Sequence, residues 1–480
     1  MPASPSPSPS PSPSPSPSPS PSPSPEPIPT DPVLLRKVAV SSFLGTVIEY
    51  YDFLVYGTMA ALAFGQLFFP QSNPAAGTIA AFGTLAAGYV ARPLGGAVFG
   101  HFGDRLGRKS MLILTMVLMG GASFLIGLLP TYATIGVAAP ALLVLLRVVQ
   151  GIAIGGEWGG ATLMVVEHAD ARRRGFWSGL MQMGAPLGGL LSTITVTAIA
   201  TLPTRDFLAW GWRIPFLCSA LLLGIGLYVR LGVTESPLFR QQQAAAAREP
   251  SEGPRMPLLR VLRRPRTLLL GCAVGIGPFA LTAMISTFML TYATTVGYTR
   301  ANVMTGLLYT SLVGLVAIPF FSALSDRIGR RKVVLGGAVA TMLGAFPFFA
   351  LIDSGSPALL VTAMVLGQGL LQSSMYAPLA PLLSELFGTR VRYTGASLGY
   401  QLAALVGAGF TPLVASSLFA ASGSARSAPL AGLVIGCGLV TALAIWRLAE
   451  TRGRDLAVDE GGTQPSMRSA PPMTKVTRSS

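Results

Sequence analysis

The chain has 480 residues, of which 51% are hydrophobic and only 11% charged, whereas an ordinary soluble domain carries about 25% charged residues. This composition excludes a soluble protein and leaves room for about twelve membrane-spanning helices of about 20 residues each. The net charge of +15 would indicate nucleic-acid binding only if the basic residues formed one surface patch.

Residues 1–33 are rich in serine and proline, with a strict Ser-Pro alternation from Ser4 to Pro25. This composition favours polyproline II over helix, so it predicts a disordered tail, with a ligand for a proline-recognising domain as the alternative. After the tail, apolar runs predict six helices, a polar break and six more helices. The predicted helices cover residues 38–67, 75–99, 110–130, 138–164, 176–202 and 209–231, and then 267–296, 301–324, 333–352, 357–384, 394–420 and 427–447.

These runs define the domain organisation. We predict an N-terminal six-helix bundle over 34–232, a cytoplasmic linker over 233–266, a C-terminal six-helix bundle over 267–448 and a cytoplasmic tail over 449–480. Most Lys and Arg residues fall on one predicted side of the membrane. The basic residues of the other side are Arg205, Arg213, Arg300 and Arg426. By the positive-inside rule, this asymmetry places both termini in the cytoplasm and accounts for the charge without a nucleic-acid partner.

Acidic markers recur between the two predicted bundles at nearly constant spacing. The pairs are Asp104 and Asp326, Glu167 and Glu385, and Glu235 and Glu450, at offsets of 222, 218 and 215 residues. The bundles are therefore predicted to be parallel repeats, and such repeats place the working site between them, near the middle of the membrane.

Short motifs then identify a family. The segments 103–109 (GDRLGRK), 325–331 (SDRIGRR) and 147–151 (RVVQG) resemble signatures of the major facilitator superfamily. The segments 48–53 (IEYYDF), 92–96 (RPLGG), 155–161 (GGEWGGA) and 450–454 (ETRGR) are similar to the metabolite:proton symporter family within it. The segment 185–189 (APLGG) departs from the antiporter signature of the fifth helix, which counts against drug efflux.

The resemblance implies an all-α integral membrane protein with twelve transmembrane helices in two pseudo-symmetric six-helix halves. It implies proton-coupled import of a small polar metabolite, an organic acid or a zwitterion, by alternating access in the bacterial cytoplasmic membrane. The alternatives are a proton-independent facilitator, an efflux antiporter or a transporter-like sensor. The expected partners are the substrate, a proton and the lipid bilayer, and a monomer is expected. No catalytic residue, cofactor or metal is expected, because the sequence lacks an enzyme-like polar cluster and metal-ligand spacing.

Two carboxylates lie near the middle of the first predicted helix. Glu49 and Asp52 are three residues apart and share one helix face. Ionisable side chains at membrane depth are costly and mark functional sites. Two carboxylates this close resist joint ionisation, so one of them is expected to carry a proton. Alternatively they pair with Arg92 or Arg147 and only join helices; the sequence does not rank Glu49 against Asp52.

The fourth predicted helix carries a polar stripe of Arg147, Gln150 and Glu157 on one face. Arg147 is expected to take part in proton coupling by approaching and leaving a carboxylate, with a substrate clamp and a purely structural role as alternatives. Glu157 is flanked by glycines and is assigned to the same coupling set, as a gate ion pair or as a proton-release site.

The resemblance implies that helices 1, 4, 7 and 10 line the cavity. The tenth helix presents polar residues at i, i+4 and i+8, a stripe suited to a polar metabolite. The predicted substrate-binding residues are Tyr56, Arg92, Gln150, Gln182, Gln368, Gln372, Tyr376 and Gln401. Hydrogen bonds between helices are the alternative role for the neutral members. For Arg92 the alternatives are an inner-gate latch and a structural salt bridge.

Two loops are predicted to gate the cytoplasmic side. By resemblance, Asp104, Arg105 and Arg108 latch helix ends through ion pairs and a helix dipole, and the second half repeats this with Asp326, Arg327 and Arg330. Turn formation and membrane orientation are the alternative functions of these loops.

Overall fold

The computed structural model describes residues 32–71, 74–236, 239–240, 257–422, 427–454 and 456. Within these ranges the chain is helical and contains no β-strand. The predicted tail, apart from its last two residues, lies outside the described residues, as do the middle of the predicted linker and nearly all of the C-terminal tail.

Each of the twelve predicted helices corresponds to a long helix, and the boundaries agree to within a few residues at most ends. The helices are α1 Pro32–Met59, α2 Pro74–Leu106, α3 Arg108–Leu128, α4 Ala138–His168, α5 Arg174–Ala200, α6 Gly211–Leu231, α7 Pro265–Thr295, α8 Arg300–Ile328, α9 Arg330–Ile352, α10 Pro357–Leu386, α11 Arg392–Ala421 and α12 Ala428–Arg447. In the described part of the chain, eleven of them, all except α2, are long and apolar enough to cross a membrane. Helix α2 has 33 residues, which is more than a span requires.

Two glutamates explain where α3 and α9 begin. Glu235 accepts hydrogen bonds from the backbone N–H groups of Arg108 and Lys109, each at 3.1 Å. Glu450 does the same for the first two residues of α9, at 3.0 and 3.1 Å. A carboxylate at a helix N-terminus satisfies free donors and opposes the positive end of the helix dipole.

The residue before each of these helices is a glycine with positive φ, namely Gly107 at 111° and Gly329 at 106°. A Cβ atom would lie 2.4 Å from the Glu235 carboxylate at the first position and 2.5 Å from the Glu450 carboxylate at the second. The glycines of the two loop motifs are therefore required by backbone conformation and by the capping carboxylates.

The two halves, α1–α6 and α7–α12, share a hydrophobic core at one end only. There one cluster joins Val38, Trp158 and Met164 of the first half to Leu379 and Tyr400 of the second. At the opposite end, the large clusters are each confined to one half. We call the shared end, where α1 and α7 begin and α12 ends, the sealed end, because hydrophobic contacts between the two halves close it.

Candidate functional site

A group of charged side chains is buried inside the first half. Glu49 and Asp52 lie on α1, Arg92 on α2 and Arg147 on α4, and each is less than 10% exposed. Glu49, Asp52 and Arg147 lie in helices that are long and apolar enough to cross a membrane, and Arg92 lies in the 33-residue helix α2. Because burying charge in a membrane is costly, such a group of residues indicates a functional site rather than a contribution to stability.

Aromatic rings hold the two arginines. The Arg92 guanidinium lies over the rings of Phe53 and Tyr89, 4.7 and 4.6 Å from their centroids. The Arg147 guanidinium lies over Phe53 and Tyr56 at 5.2 and 4.2 Å. Phe53 thus contacts both cations. Each desolvated cation–π contact contributes about 2 kcal/mol, which orients the guanidinium groups without neutralising them.

Hydrogen bonds fix Arg147 further. Its Nη1 donates to Gln150 Oε1 at 3.1 Å, and Gln150 Nε2 donates to Ser123 Oγ at 2.5 Å. The Tyr56 hydroxyl pairs with Thr84 Oγ1 at 2.5 Å. Gln150 and Tyr56, both predicted to bind substrate, therefore support Arg147 in this conformation.

Arg92 and Arg147 have no carboxylate oxygen within 4 Å in the described part of the chain. Four other buried arginines each have at least one such partner: Arg108, Arg230, Arg330 and Arg392. The alternative that Glu49 and Asp52 pair directly with Arg92 or Arg147 is therefore wrong for this conformation. The first half holds two buried cations whose direct counter-ions are missing among the described residues.

The two carboxylates of α1 differ in their surroundings. Asp52 Oδ1 accepts a hydrogen bond from Ser219 Oγ on α6. Glu49 accepts no hydrogen bond from any residue that the structure describes, and its Oε2 atom is fully buried, as is the second oxygen of Asp52, Oδ2. A buried ionised carboxylate without donors is strongly unfavourable, whereas the neutral acid is tolerated. The structure thus distinguishes two residues that the sequence could not rank.

Tyrosines form a layer across both halves beside Glu49. The hydroxyls of Tyr50 and Tyr376 are 3.3 Å apart, and those of Tyr376 and Tyr400 are 3.1 Å apart. Tyr400 also stacks on Trp158 with ring centroids 3.6 Å apart, and Phe279 packs edge-on against Tyr400 at 4.9 Å. One layer of packed aromatic side chains therefore joins five helices, namely α1, α4, α7, α10 and α11.

The predicted glutamines fall into two groups. Gln368 Oε1 accepts from Ser286 Oγ at 3.2 Å, while Gln372 is 8% exposed and forms no hydrogen bond among the described residues. Gln182 and Gln401 instead donate to backbone carbonyl groups of the opposite half. Gln368 and Gln372 thus lie in the π-helical part of α10, Val365–Gln372, whereas Gln182 and Gln401 are engaged between the halves.

Two aspartates cap helices of the opposite half at the sealed end. Asp104 accepts from the backbone N–H groups of Tyr393 and Thr394, at 3.1 and 3.0 Å, where α11 begins. Asp326 accepts from the N–H groups of Gly175 and Phe176, at 2.9 and 2.8 Å, where α5 begins. The repeat pair of aspartates thus makes equivalent contacts in opposite directions.

Buried ion pairs complete this layer. Arg108 lies 3.8 Å from Asp104 and 3.4 Å from Glu167, and Arg392 of the second half also reaches Glu167 at 3.4 Å. In the second half, the corresponding partners of Arg330 are Asp326 at 2.6 Å and Glu385 at 3.2 Å. We call this set, with the two capping aspartates, the ion-pair layer.

The side chains of Arg105 and Arg327, both predicted to gate, lie outside the ion-pair layer. Arg105 is exposed, with Nη1 3.3 Å from His101 Nε2 on the same helix. Arg327 is also exposed, and its backbone carbonyl accepts from Arg452 Nη1 at 2.6 Å. Neither forms a described side-chain contact between the halves.

Glu157 is committed to an ion pair inside the first half. Its Oε1 accepts from Arg230 Nη1 at 2.7 Å, and its Oε2 accepts from Thr115 Oγ1 at 2.7 Å. Arg230 was not among the predicted site residues, because nothing in its local sequence at the end of α6 distinguishes it from an orienting charge. The Glu157–Arg230 pair joins α4 to α6, and the Thr115 hydrogen bond joins α4 to α3.

Replacing Glu157 by glutamine is expected to destabilise the protein by about 3–5 kcal/mol, because Arg230 then stays buried without a counter-charge. Thermal unfolding of purified protein in detergent measures the loss. The matched control replaces both partners, as Glu157→Met with Arg230→Met, and is expected to restore most of the stability. A double variant as unstable as the single one would contradict the ion-pair explanation.

Comparisons with known proteins agree with this fold. The family described as "Sugar (and other) transporter" matches residues 37–252, and the "Major Facilitator Superfamily" matches residues 291–473. The chain is 44% identical to the shikimate transporter of Escherichia coli strain K12, over 80% of this chain and 87% of the relative. The chain belongs to the major facilitator superfamily of membrane transporters.

Other known proteins also match most of this chain. The chain is 40% identical to the inner membrane metabolite transport protein YhjE of Escherichia coli strain K12, over 80% of this chain and 88% of that one. It is 33% identical to the proline/betaine transporter of the same strain, over 88% of this chain and 85% of that one. The proton:xylose symporter XylE bound to 6-bromo-6-deoxy-D-glucose superposes with a TM-score of 0.68 at 17% identity, over 88% of this chain and 98% of that one. The predicted family, twelve-helix fold and transporter rather than enzyme class are confirmed.

Proposed function

We propose that this transporter imports a small hydroxylated organic acid together with a proton by alternating access. The observation that carries the proposal is the pair of buried arginines, Arg92 and Arg147, with no carboxylate within 4 Å among the described residues. Two desolvated guanidinium groups that share one aromatic ring make a strong site for a carboxylate, which accepts paired hydrogen bonds from a guanidinium fork.

The second half supplies the neutral groups of the proposed site. Gln368, Gln372 and Tyr376 lie on α10 and can exchange hydrogen bonds with substrate hydroxyl groups. The relatives named for shikimate, and for proline and betaine, are named for molecules that carry a carboxylate. An organic acid is favoured over a betaine because the Phe53, Tyr56 and Tyr89 rings, which could bind a quaternary ammonium, already face guanidinium groups.

Glu49 is the proposed proton carrier. Glu49 is buried without a hydrogen-bond donor among the described residues, which favours its neutral, protonated form. A substrate carboxylate bound to the arginines would adjoin an ionised Glu49, so anion binding favours the bound proton further. Anion and proton binding then favour each other, as linkage requires for symport. Asp52, which accepts a hydrogen bond from Ser219, is proposed to stay in place as a link between α1 and α6.

The proposed orientation puts the sealed end in the cytoplasm. The basic loops and both ends of the described chain lie there, as the positive-inside rule requires. The described conformation is then outward-facing. The segments 34–232 and 267–448 are proposed to rock against each other, joined by the 233–266 linker. The ion-pair layer is the proposed cytoplasmic gate.

Replacing Asp104 by asparagine is expected to slow uptake by about tenfold, because an amide accepts more weakly than a carboxylate from the α11 N-terminus. Asp326→Asn should have a similar effect at α5, since its contacts are equivalent. Uptake by right-side-out membrane vesicles measures both, with equal protein content verified by immunoblot. Arg105→Gln is the control and should leave the rate unchanged. Unaltered uptake in both aspartate variants would rule out the capping latch.

A ligand screen tests the proposed substrate class. Melting temperatures of the purified protein are compared with shikimate, its methyl ester and glycine betaine at equal concentrations. The acid is expected to stabilise the protein, because a bound ligand stabilises in proportion to the logarithm of its concentration over Kd. The ester, which lacks the charge, should not. Stabilisation by glycine betaine but by none of a panel of hydroxy acids would contradict the proposal and favour a zwitterion carrier.

A further inference from the structure

We propose that Gln182 is the main clasp that holds the two halves together inside the membrane, and that Gln401 is its weaker repeat-related counterpart. The two glutamines are 219 residues apart in sequence, close to the 218-residue offset of Glu167 and Glu385. Each lies eight or nine residues along its helix from the sealed end, about 12 Å deeper than the ion-pair layer. The inference rests on the proposed alternation of access, not on the substrate or the proton.

The Gln182 contact answers a specific defect in α10. Its Nε2 donates to the carbonyl of Ala377 at 2.9 Å. In a regular helix this carbonyl would accept from residue 381, but Pro381 has no N–H group. A helix of the first half thus supplies the hydrogen bond that a proline of the second half cannot. Because the acceptor has no helical donor, Gln182 does not compete with a backbone N–H group for this carbonyl.

A second donor allows the clasp to open. Ser322 Oγ on α8 also donates to the Ala377 carbonyl, at 3.2 Å, and belongs to the same half as that carbonyl. When the halves part, Ser322 moves with Ala377 and keeps the carbonyl bonded. Release of Gln182 therefore leaves no unsatisfied carbonyl in the membrane, a condition that a reversible contact at this depth must meet.

Gln401 makes a weaker contact. Its Nε2 donates to the carbonyls of Ile154 and Gly155 on α4, each at 3.3 Å. Both carbonyls lie inside continuous helix, so each already accepts a helical hydrogen bond. The longer distances and shared acceptors predict that Gln401 contributes less to the sealed state than Gln182.

The remaining atoms of both side chains support a clasp rather than a substrate contact. Gln182 and Gln401 are completely buried, and the Oε1 atom of each has no hydrogen-bond partner among the described residues. A buried acceptor without a donor opposes closure. Each amide thus stabilises the sealed state through the hydrogen bonds of its nitrogen and destabilises it through its unpaired oxygen. The net stabilisation is therefore small enough for the contact to break during transport.

Distance measurement between spin labels tests the inference. Labels are placed at the exposed positions 172 and 332 of the sealed end, one in each half, in protein whose Cys218, Cys272 and Cys437 are alanine. Double electron–electron resonance is recorded in nanodiscs without substrate and without a pH gradient. Gln182→Met is expected to raise the ratio of open to sealed populations about tenfold, the effect of losing one hydrogen bond of about 1.4 kcal/mol. Gln401→Met should raise it less, about threefold.

Two further variants make the result decisive. Gln182→Asn keeps the amide but is too short to reach Ala377, so it should behave like Gln182→Met. Thr441→Val removes a buried hydroxyl that joins α12 to α7 within the second half, and it should leave the distances unchanged. The inference is overturned if both Gln182 variants keep the wild-type distances, if Gln401→Met exceeds Gln182→Met, or if Thr441→Val opens the sealed end equally. Because no substrate is present, a failed carboxylate assignment would not alter this outcome.

Discussion

Replacing Arg147 by glutamine is expected to weaken carboxylate binding at least 30-fold, roughly the effect of removing one partner from a buried charged contact worth about 2–5 kcal/mol. The Arg147 guanidinium is buried, oriented by Tyr56 and Gln150, and has no acidic partner within 4 Å among the described residues. Its charge is therefore available to a ligand. Arg92→Gln should have an effect of the same size, because Arg92 shares the Phe53 ring with Arg147.

A lysine at position 147 separates charge from geometry. Lysine keeps the positive charge but lacks the planar fork that binds a carboxylate through two parallel hydrogen bonds. Arg147→Lys should therefore recover part of the affinity that Arg147→Gln loses. Equilibrium binding of radiolabelled acid to purified protein provides the measurement, with the exposed Arg105→Gln as control. Wild-type affinity in both Arg147→Gln and Arg92→Gln would eliminate the arginine site.

Replacing Glu49 by glutamine is expected to remove proton coupling while the carrier still exchanges substrate across the membrane. Glutamine approximates the protonated glutamate in shape and charge but cannot release a proton. The variant should therefore exchange labelled for unlabelled acid in counterflow yet fail to accumulate it when the outside is made acidic. Proton-driven accumulation is expected to fall to the level of protein-free vesicles, and uptake should lose its dependence on external pH.

Asp52→Asn is the matched comparison for Glu49. Asp52 accepts a hydrogen bond from Ser219, whereas Glu49 accepts none from the described residues. Asp52→Asn should slow transport but keep accumulation driven by the pH gradient. The opposite pattern, with coupling lost in Asp52→Asn and kept in Glu49→Gln, would identify Asp52 rather than Glu49 as the proton carrier. Coupling retained in both variants would exclude the α1 carboxylates.

Local pattern was sufficient to predict the fold. Long apolar runs specify membrane helices because every backbone group must be bonded within the bilayer, and all twelve predicted runs became helices. The repeated aspartates Asp104 and Asp326 were predicted at the gate and lie in contact with helices of the opposite half. Their role stays a prediction until Asp104→Asn and Asp326→Asn are measured.

Long-range pairing could not be predicted in the same way. Glu157 pairs with Arg230 across 73 residues of sequence, and no spacing rule connects α4 with α6. The 218-residue repeat relates Arg392 to Arg174 at the start of a helix, but no local pattern predicts that Arg392 pairs with Glu167 of the opposite half. Gln182 was predicted to bind substrate because a polar residue in a membrane helix looks alike whether it faces a cavity or an opposite backbone.

The proton movement that accompanies substrate entry tests the central claim most directly. Proteoliposomes containing the wild-type protein and a pH-sensitive dye are given an inward gradient of the acid identified by the screen, with equal pH on both sides. The lumen is expected to acidify as substrate enters, faster than in protein-free vesicles or with Glu49→Gln, and the methyl ester should cause no protein-dependent change. Entry of labelled acid without acidification beyond those controls, or with alkalinisation, would contradict proton-coupled import of an organic acid.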